Sequence, residues 1–177
     1  MKYKYILFDL DGTITESGPG IMNSVEYALN KMNREVGERD TLKKFIGPPL
    51  TESMEKYYGM SEEEALLGVK YYREYYAVKG IFENSVYEGL AETLESLENE
   101  GYILAVATSK PEEYAKRIAD KFDFAKYFAG IYGATMDGSL IRKADVIRYA
   151  LDNLGVEREN YRKGFIMKRP TLHKLIF

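Results

Sequence analysis

Cysteine is absent from the 177 residues. Disulfides, thiolate metal sites and cysteine nucleophiles are thereby excluded, and a reducing compartment suits the chain. There is a single histidine, His173, which rules out a His-pair metal centre and argues against a Ser-His-Asp hydrolase. Long apolar runs are also missing. The opening MKYKYILFDLDG passes from a short apolar stretch into carboxylates, the pattern of neither a signal peptide nor a membrane span. Nor is there an excess of positive charge: 25 Lys and Arg stand against 28 Asp and Glu, a net −3. That balance argues against nucleic acid or an acidic membrane as partner. What remains is 45% hydrophobic and 30% charged, enough apolar material for a packed core and against wholesale disorder. The expectation is a soluble, cytoplasmic α/β protein of one domain with room for an insertion.

Residues 3–8 (YKYILF) and Tyr102–Ala107 are apolar runs without internal turn signals, as strands buried on both faces would be. Residues 128–132 and 164–167 are weaker strand candidates. Between them the period turns helical. Leu90, Leu94 and Leu97 share a face that closes at Gly101, Pro111 opens a segment carrying Tyr114, Ile118 and Phe122, and Val146 to Leu154 form a stripe stopped by Gly155. Strands alternating with helices predict a Rossmann-like, doubly wound parallel sheet. Residues 16–84 break that rhythm and read as helices only. Ile21, Val25, Ala28, Leu29 and Met32 share one face, Leu50, Met54 and Tyr57 another, and Ser61 with Glu64 predicts a capping box. The tyrosines of YYREYY are expected to pack an amphipathic helix. The predicted division is a core of 1–15 and 85–177 with a helical cap at 16–84.

The sharpest local feature is Asp9-Leu10-Asp11-Gly12-Thr13, directly after a buried strand. Ligands of open α/β sheets bind beyond the carboxyl ends of the strands. Residues two apart on extended backbone point the same way, so Asp9 and Asp11 can share one crevice, and Gly12 lets the chain turn away. Two carboxylates this close repel unless a cation or a proton sits between them. A calcium loop starting at Asp9 fails, because its sixth and twelfth positions hold Ile14 and Gly20 where Gly and Glu are required. An acidic strand end with a glycine turn stays open. So does a carboxylate nucleophile paired with a second carboxyl as general acid and base, with Mg²⁺ quenching the repulsion.

D-x-D-G-T after a hydrophobic strand resembles the first motif of the haloacid dehalogenase-like phosphatases. The likeness runs from residue 1 to about residue 160. Thr108 in AVATSKP is similar to the second motif, and Lys143 in GSLIRKADVI stands where the third motif has its lysine. ESGPGIMNSV, FIGPPL and VATSKP look most like phosphoglycolate phosphatases and bacterial 5′-nucleotidase-like members. The resemblance implies a phosphomonoester hydrolase acting on a small phosphorylated metabolite, such as phosphoglycolate or a nucleoside monophosphate. It implies Asp9 as nucleophile, Asp11 as general acid and base, and Mg²⁺ at Asp9 and the Asp11 carbonyl. Thr108 and Lys143 would hold the phosphoryl group, joined by backbone at Leu10, Gly12 and Ser109. The bland readings are a turn or capping threonine at Thr108 and a solvated first-turn lysine at Lys143; Gly47-Pro48-Pro49 is either a plain linker or, as the resemblance implies, a specificity loop over the active site. Oligomeric state is not readable.

The fourth motif, an acidic strand end, is missing. After 164–167 the chain runs Lys168-Arg169-Pro170-Thr171, and Asp137 and Asp145 are poor substitutes. From Tyr161 onward there are five Lys or Arg and no Asp or Glu, so the body carries −8 and the tail +5. That discontinuity predicts a frameshifted C-terminus, against the simpler reading of a genuine short variant with a basic tail. Without the fourth acid metal affinity should fall, and the alternative function is a catalytically inactive phosphate-binding or structural protein. An alternative frame of the coding DNA should then encode a Gly-Asp-containing continuation; finding none would dismiss the frameshift.

Overall fold

The structure, a computed structural model, describes residues 4–156 and 165–167. In chain order its elements begin β1 (Tyr5–Phe8), β2 (Thr15–Glu16), α1 (Gly18–Lys31), α2 (Leu50–Tyr58) and α3 (Glu62–Tyr76). There follow β3 (Ser85–Val86), α4 (Leu90–Asn99), β4 (Ile103–Pro111), α5 (Glu112–Lys121), β5 (Gly130–Ala134), α6 (Lys143–Asn153) and β6 (Phe165–Met167). The chain divides into two compact units, Glu16–Ser85 and the residues on either side of it.

The α/β unit is built on a four-stranded sheet of order β5-β4-β1-β6. Every pairing is parallel, with Phe8 opposite Val106 on one side and Met167 on the other. Parallel sheets are covered on both faces, which explains why β1 carries Ile6, Leu7 and Phe8 without a polar residue between them. Leu7, Ala105 and Ala107 pack against Val146, Ala150 and Leu151 of α6. The two alanines keep the sheet surface low beneath that helix. Phe8 points the other way by strand alternation and meets the Phe128 ring edge-on at 5.6 Å.

Two boundaries differ from the sequence reading. β4 does not stop at Ala107 but continues through Pro111, with an irregular register against β5 between those residues. Pairing with β5 resumes at Pro111 and Ala134, so Thr108–Lys110 are strand rather than turn. Pro111 accordingly stands at the N-cap of α5 rather than inside its first turn. β5 itself begins two residues late, because Phe128 serves as an aromatic anchor against Phe8 and Phe124 instead of a strand residue.

The helical unit has its own core. Ile21, Val25, Ala28 and Leu29 of α1, Met54 of α2, and Ala65, Val69, Tyr72 and Tyr76 of α3 are all buried. Tyr72 and Tyr76 stack at 5.2 Å, so two tyrosines of YYREYY are core residues, each large apolar body worth roughly 2 kcal/mol on burial. The Ser61 capping box forms: its hydroxyl accepts from the Glu64 amide while the Glu64 carboxylate accepts from the Ser61 amide at 2.9 Å. α1 crosses a short 3₁₀ turn at Gly80–Phe82 through paired glycines. A Cβ on Gly20 would stand 1.9 Å from the Gly80 carbonyl oxygen, and one on Gly80 would stand 2.5 Å from Ser24 Oγ.

Backbone cannot retreat as a flexible side chain can. Gly20→Ala should therefore cost about 1–3 kcal/mol, the usual range for an overpacked core. Urea unfolding measures it, and an unchanged midpoint would show that this crossing is looser than described.

Candidate active site

Because β1 and β4 run in parallel, their carboxyl ends reach the same edge of the sheet, and the segments leaving them meet there. The chain after β1 is fastened by Leu10, which is buried. Its carbonyl accepts the amides of Thr13, Ile14 and Thr15 at 2.9–3.1 Å. Gly12 completes the turn with φ of +72° and donates its amide to the Thr15 carbonyl at 2.8 Å. Asp9 and Asp11 flank this anchor.

Each carboxylate carries a lysine from elsewhere in the chain. Lys143, the first residue of α6, places Nζ 2.7 Å from Oδ1 of Asp9 and also donates to the Ala107 carbonyl at 2.7 Å. One ammonium thus ties the start of a helix to the end of β1 and to the middle of β4. A lysine at a helix N-terminus opposes the helix dipole, so its position is set by Asp9 rather than by local preference. Lys110, near the end of β4, places Nζ 3.2 Å from Oδ2 of Asp11, with both side chains nearly sealed from solvent. Its amide donates to Thr108 Oγ1 at 3.2 Å. As acceptor of that bond, the buried Thr108 hydroxyl keeps its own proton to donate.

Asp9, Lys143 and Ala107 of β4 therefore come together, as do Asp11, Lys110 and Thr108. Ser109 lies between them, half-buried. Two expected phosphate donors behave differently. The Leu10 amide donates to Asp9 Oδ1 at 2.9 Å, and the Gly12 amide is taken by Thr15, so both organise the turn instead of opening into a cradle. Lys110 is the residue that sequence reasoning passed over. The signal was available: Thr108 and Lys110 are two apart, as Asp9 and Asp11 are, but alternation applies only once the segment is extended.

Asp145 is engaged by Arg148 at 3.0 Å. Asp137 closes its own loop, where hydrogen bonds from Thr135 and Ser139 lower its carboxyl to about 2. Neither joins the pair. Among the described residues no group of three or more His, Cys, Asp or Glu could hold a metal ion. The basic tail from Lys168, its apolar residues Leu172, Leu175, Ile176 and Phe177, and His173 lie outside the described residues.

Gly133 of β5 lets this edge close. A Cβ there would meet the Lys110 carbonyl oxygen at 2.5 Å and the Glu112 amide nitrogen at 2.7 Å. Gly133→Ala should destabilise the α/β unit by roughly 1–3 kcal/mol, read from the urea midpoint; an unaltered midpoint would mean that β4 and β5 can separate here without cost.

Three relatives and one solved structure frame this geometry. The chain is 42% identical to the 5′-nucleotidase of Pseudomonas aeruginosa, over 90% of this chain and 72% of that protein. It is 41% identical to the tyrosine-protein kinase PtkA of Mycobacterium tuberculosis, over 84% of this chain and 50% of that protein. It is 31% identical to the phosphoglycolate phosphatase of Aquifex aeolicus, over 88% of this chain and 72% of that protein. The crystal structure of "a predicted phosphatase from Clostridium acetobutylicum" superposes with a TM-score of 0.87 at 46% identity, covering 93% of this chain and 74% of that one. Residues 6–161 match the family model described as haloacid dehalogenase-like hydrolase. With the paired aspartates at the end of its first strand, this chain belongs to the haloacid dehalogenase-like hydrolase family.

Proposed function

We propose that the chain hydrolyses small phosphomonoesters, of the phosphoglycolate or nucleoside-monophosphate class, through a phosphorylated Asp9. The helical unit Glu16–Ser85 would serve as the substrate-selecting cap. The observation that carries this reading is the Lys143 ammonium, 2.7 Å from Asp9 Oδ1. It places fixed positive charge beside the carboxylate that would attack phosphorus. The names of the 5′-nucleotidase and phosphoglycolate phosphatase relatives support the substrate class.

Phosphoryl transfer requires positioning and neutralisation of charge on the transferred oxygens. Asp9 forms a bond to phosphorus as the bond to the leaving oxygen breaks, and Asp11 supplies the proton that oxygen takes. Asp11, now a carboxylate, then takes a proton from the water that attacks the aspartyl-phosphate, which releases phosphate and restores Asp9. The Thr108 hydroxyl donates to a phosphoryl oxygen, and Lys143 meets negative charge as it builds.

The donors suit Mg²⁺. The Asp9 carboxylate and the Asp11 carbonyl are hard oxygens, which leaves the Asp11 carboxyl outside the metal's ligand set and available for proton transfer. Mg²⁺ is commonly held by one or two carboxylates with substrate phosphate and water. When bound, it supplies positive charge that offsets the paired acids and polarises the phosphoryl group.

A phosphomonoester panel with and without Mg²⁺ tests the reading. Asp9→Asn should abolish turnover, and Lys143→Ala should lower kcat by about 10²–10³-fold, the cost of one preorganised donor. A loss under roughly tenfold would remove Lys143 from the chemistry. Phosphate binding without turnover on any substrate would overturn the hydrolase assignment in favour of a binding protein.

A further inference from the structure

The mechanism above leaves one buried charge unexplained. Lys110 and Asp11 pair at 3.2 Å with side chains 5% and 10% exposed. A pair this deep forfeits the hydration of both ions, so it is a poor source of stability, and losing one partner strands the other. It is well made for orientation. The ammonium holds Oδ2 of Asp11, while Oδ1 is buried with no hydrogen-bond partner among the described residues. One oxygen is clamped and the other is presented.

The clamp itself is fixed from behind. The Lys110 amide is bonded to Thr108 Oγ1, and the next residue, Pro111, is paired with Ala134 of β5. The strand end carrying the phosphoryl-binding threonine therefore also sets where the ammonium stands, and through it where the Asp11 carboxyl stands. Asp11 has to address the leaving oxygen in the first step and water in the second from one location, and a misplacement of about 1 Å can cost about 10²-fold in such reactions.

We infer that Lys110 is a positioning residue, holding the Asp11 carboxyl by one oxygen so that the other faces the leaving group and then the attacking water. The inference rests on the reading of Asp11 as general acid and base. In both steps the proton moves between Asp11 and the reacting oxygen; Lys110 neither gives nor takes one.

Lys110→Met removes the ammonium but keeps the amide bonded to Thr108 and most of the stem volume. With p-nitrophenyl phosphate and phosphoglycolate as probes, it should lower kcat by about 10–100-fold, as loss of an orienting partner does. KM should stay within about twofold, because no uniform substrate contact has gone. Lys110→Arg should recover part of the loss. In an Asp11→Asn background the same change should cost less than about twofold, since there is no longer a carboxylate to place. Equal losses in both backgrounds, or a raised KM at unchanged kcat, would overturn the inference in favour of an independent substrate contact. If Lys110→Met does not fold, Lys110→Gln, a neutral donor of similar reach, is measured in its place.

A wild-type chain that turns over neither probe would defeat the hydrolase reading without deciding the clamp. Carboxyl-carbon NMR decides it separately. The Asp11 resonance, assigned by its loss in Asp11→Asn, should move in Lys110→Met or Lys110→Gln, and a resonance that stays in place would overturn the inference.

Discussion

Two carboxylates at the end of one buried strand cannot stand side by side without countercharge, and the organisation of the α/β unit follows from how that charge is delivered. Lys143 brings it from the first residue of α6, and Lys110 brings it from the penultimate residue of β4, just before α5. Neither lysine is near the aspartates in sequence. Each arrives because a parallel sheet gathers the carboxyl ends of its strands at one edge, with the helix N-termini that follow them. The pairing Phe8 to Val106 and the packing of α6 over Leu7, Ala105 and Ala107 are what make a 2.7 Å contact between Asp9 and Lys143 possible.

The same interaction explains features that look unfavourable in isolation. A lysine at the first position of a helix works against the dipole, and a lysine with a 5% exposed side chain loses most of its hydration. Both are tolerated because an aspartate faces them. The glycine at 133 belongs to the same set of constraints. It admits the Lys110 carbonyl at a distance no side chain would permit, and so lets β4 continue past Ala107 as strand. Local preferences are overruled where the charges must meet, and are obeyed elsewhere, as at the Ser61 capping box.

The helical unit is held by different means. Its core is aliphatic and aromatic, its closest crossing is glycine on glycine, and its salt bridges, such as Lys31 with Glu74, are exposed. Exposed pairs contribute about 0–1 kcal/mol each, so burial and close packing carry this unit. Nothing in its core depends on the aspartates, which fits a segment inserted between the first two strands of the sheet.

Hydrophobic period was enough to place β1, α4, α6 and the helices of the inserted segment, because burial on one stripe or on both faces leaves a local imprint. The spacing of Asp9 and Asp11 was legible for the same reason: alternation along a strand is a property of neighbours. Lys110 was not, because its role depends on whether residues 108–111 are turn or strand, and pairing with β5 decides that. The partners of the Leu10 and Gly12 amides were equally hidden, since a free donor and one turned inward have the same sequence. Composition and pattern by themselves determined a parallel α/β unit with paired acids at a strand end. Only the tertiary structure decided which lysine meets which acid, because countercharge acts through space and the chain brings it from afar.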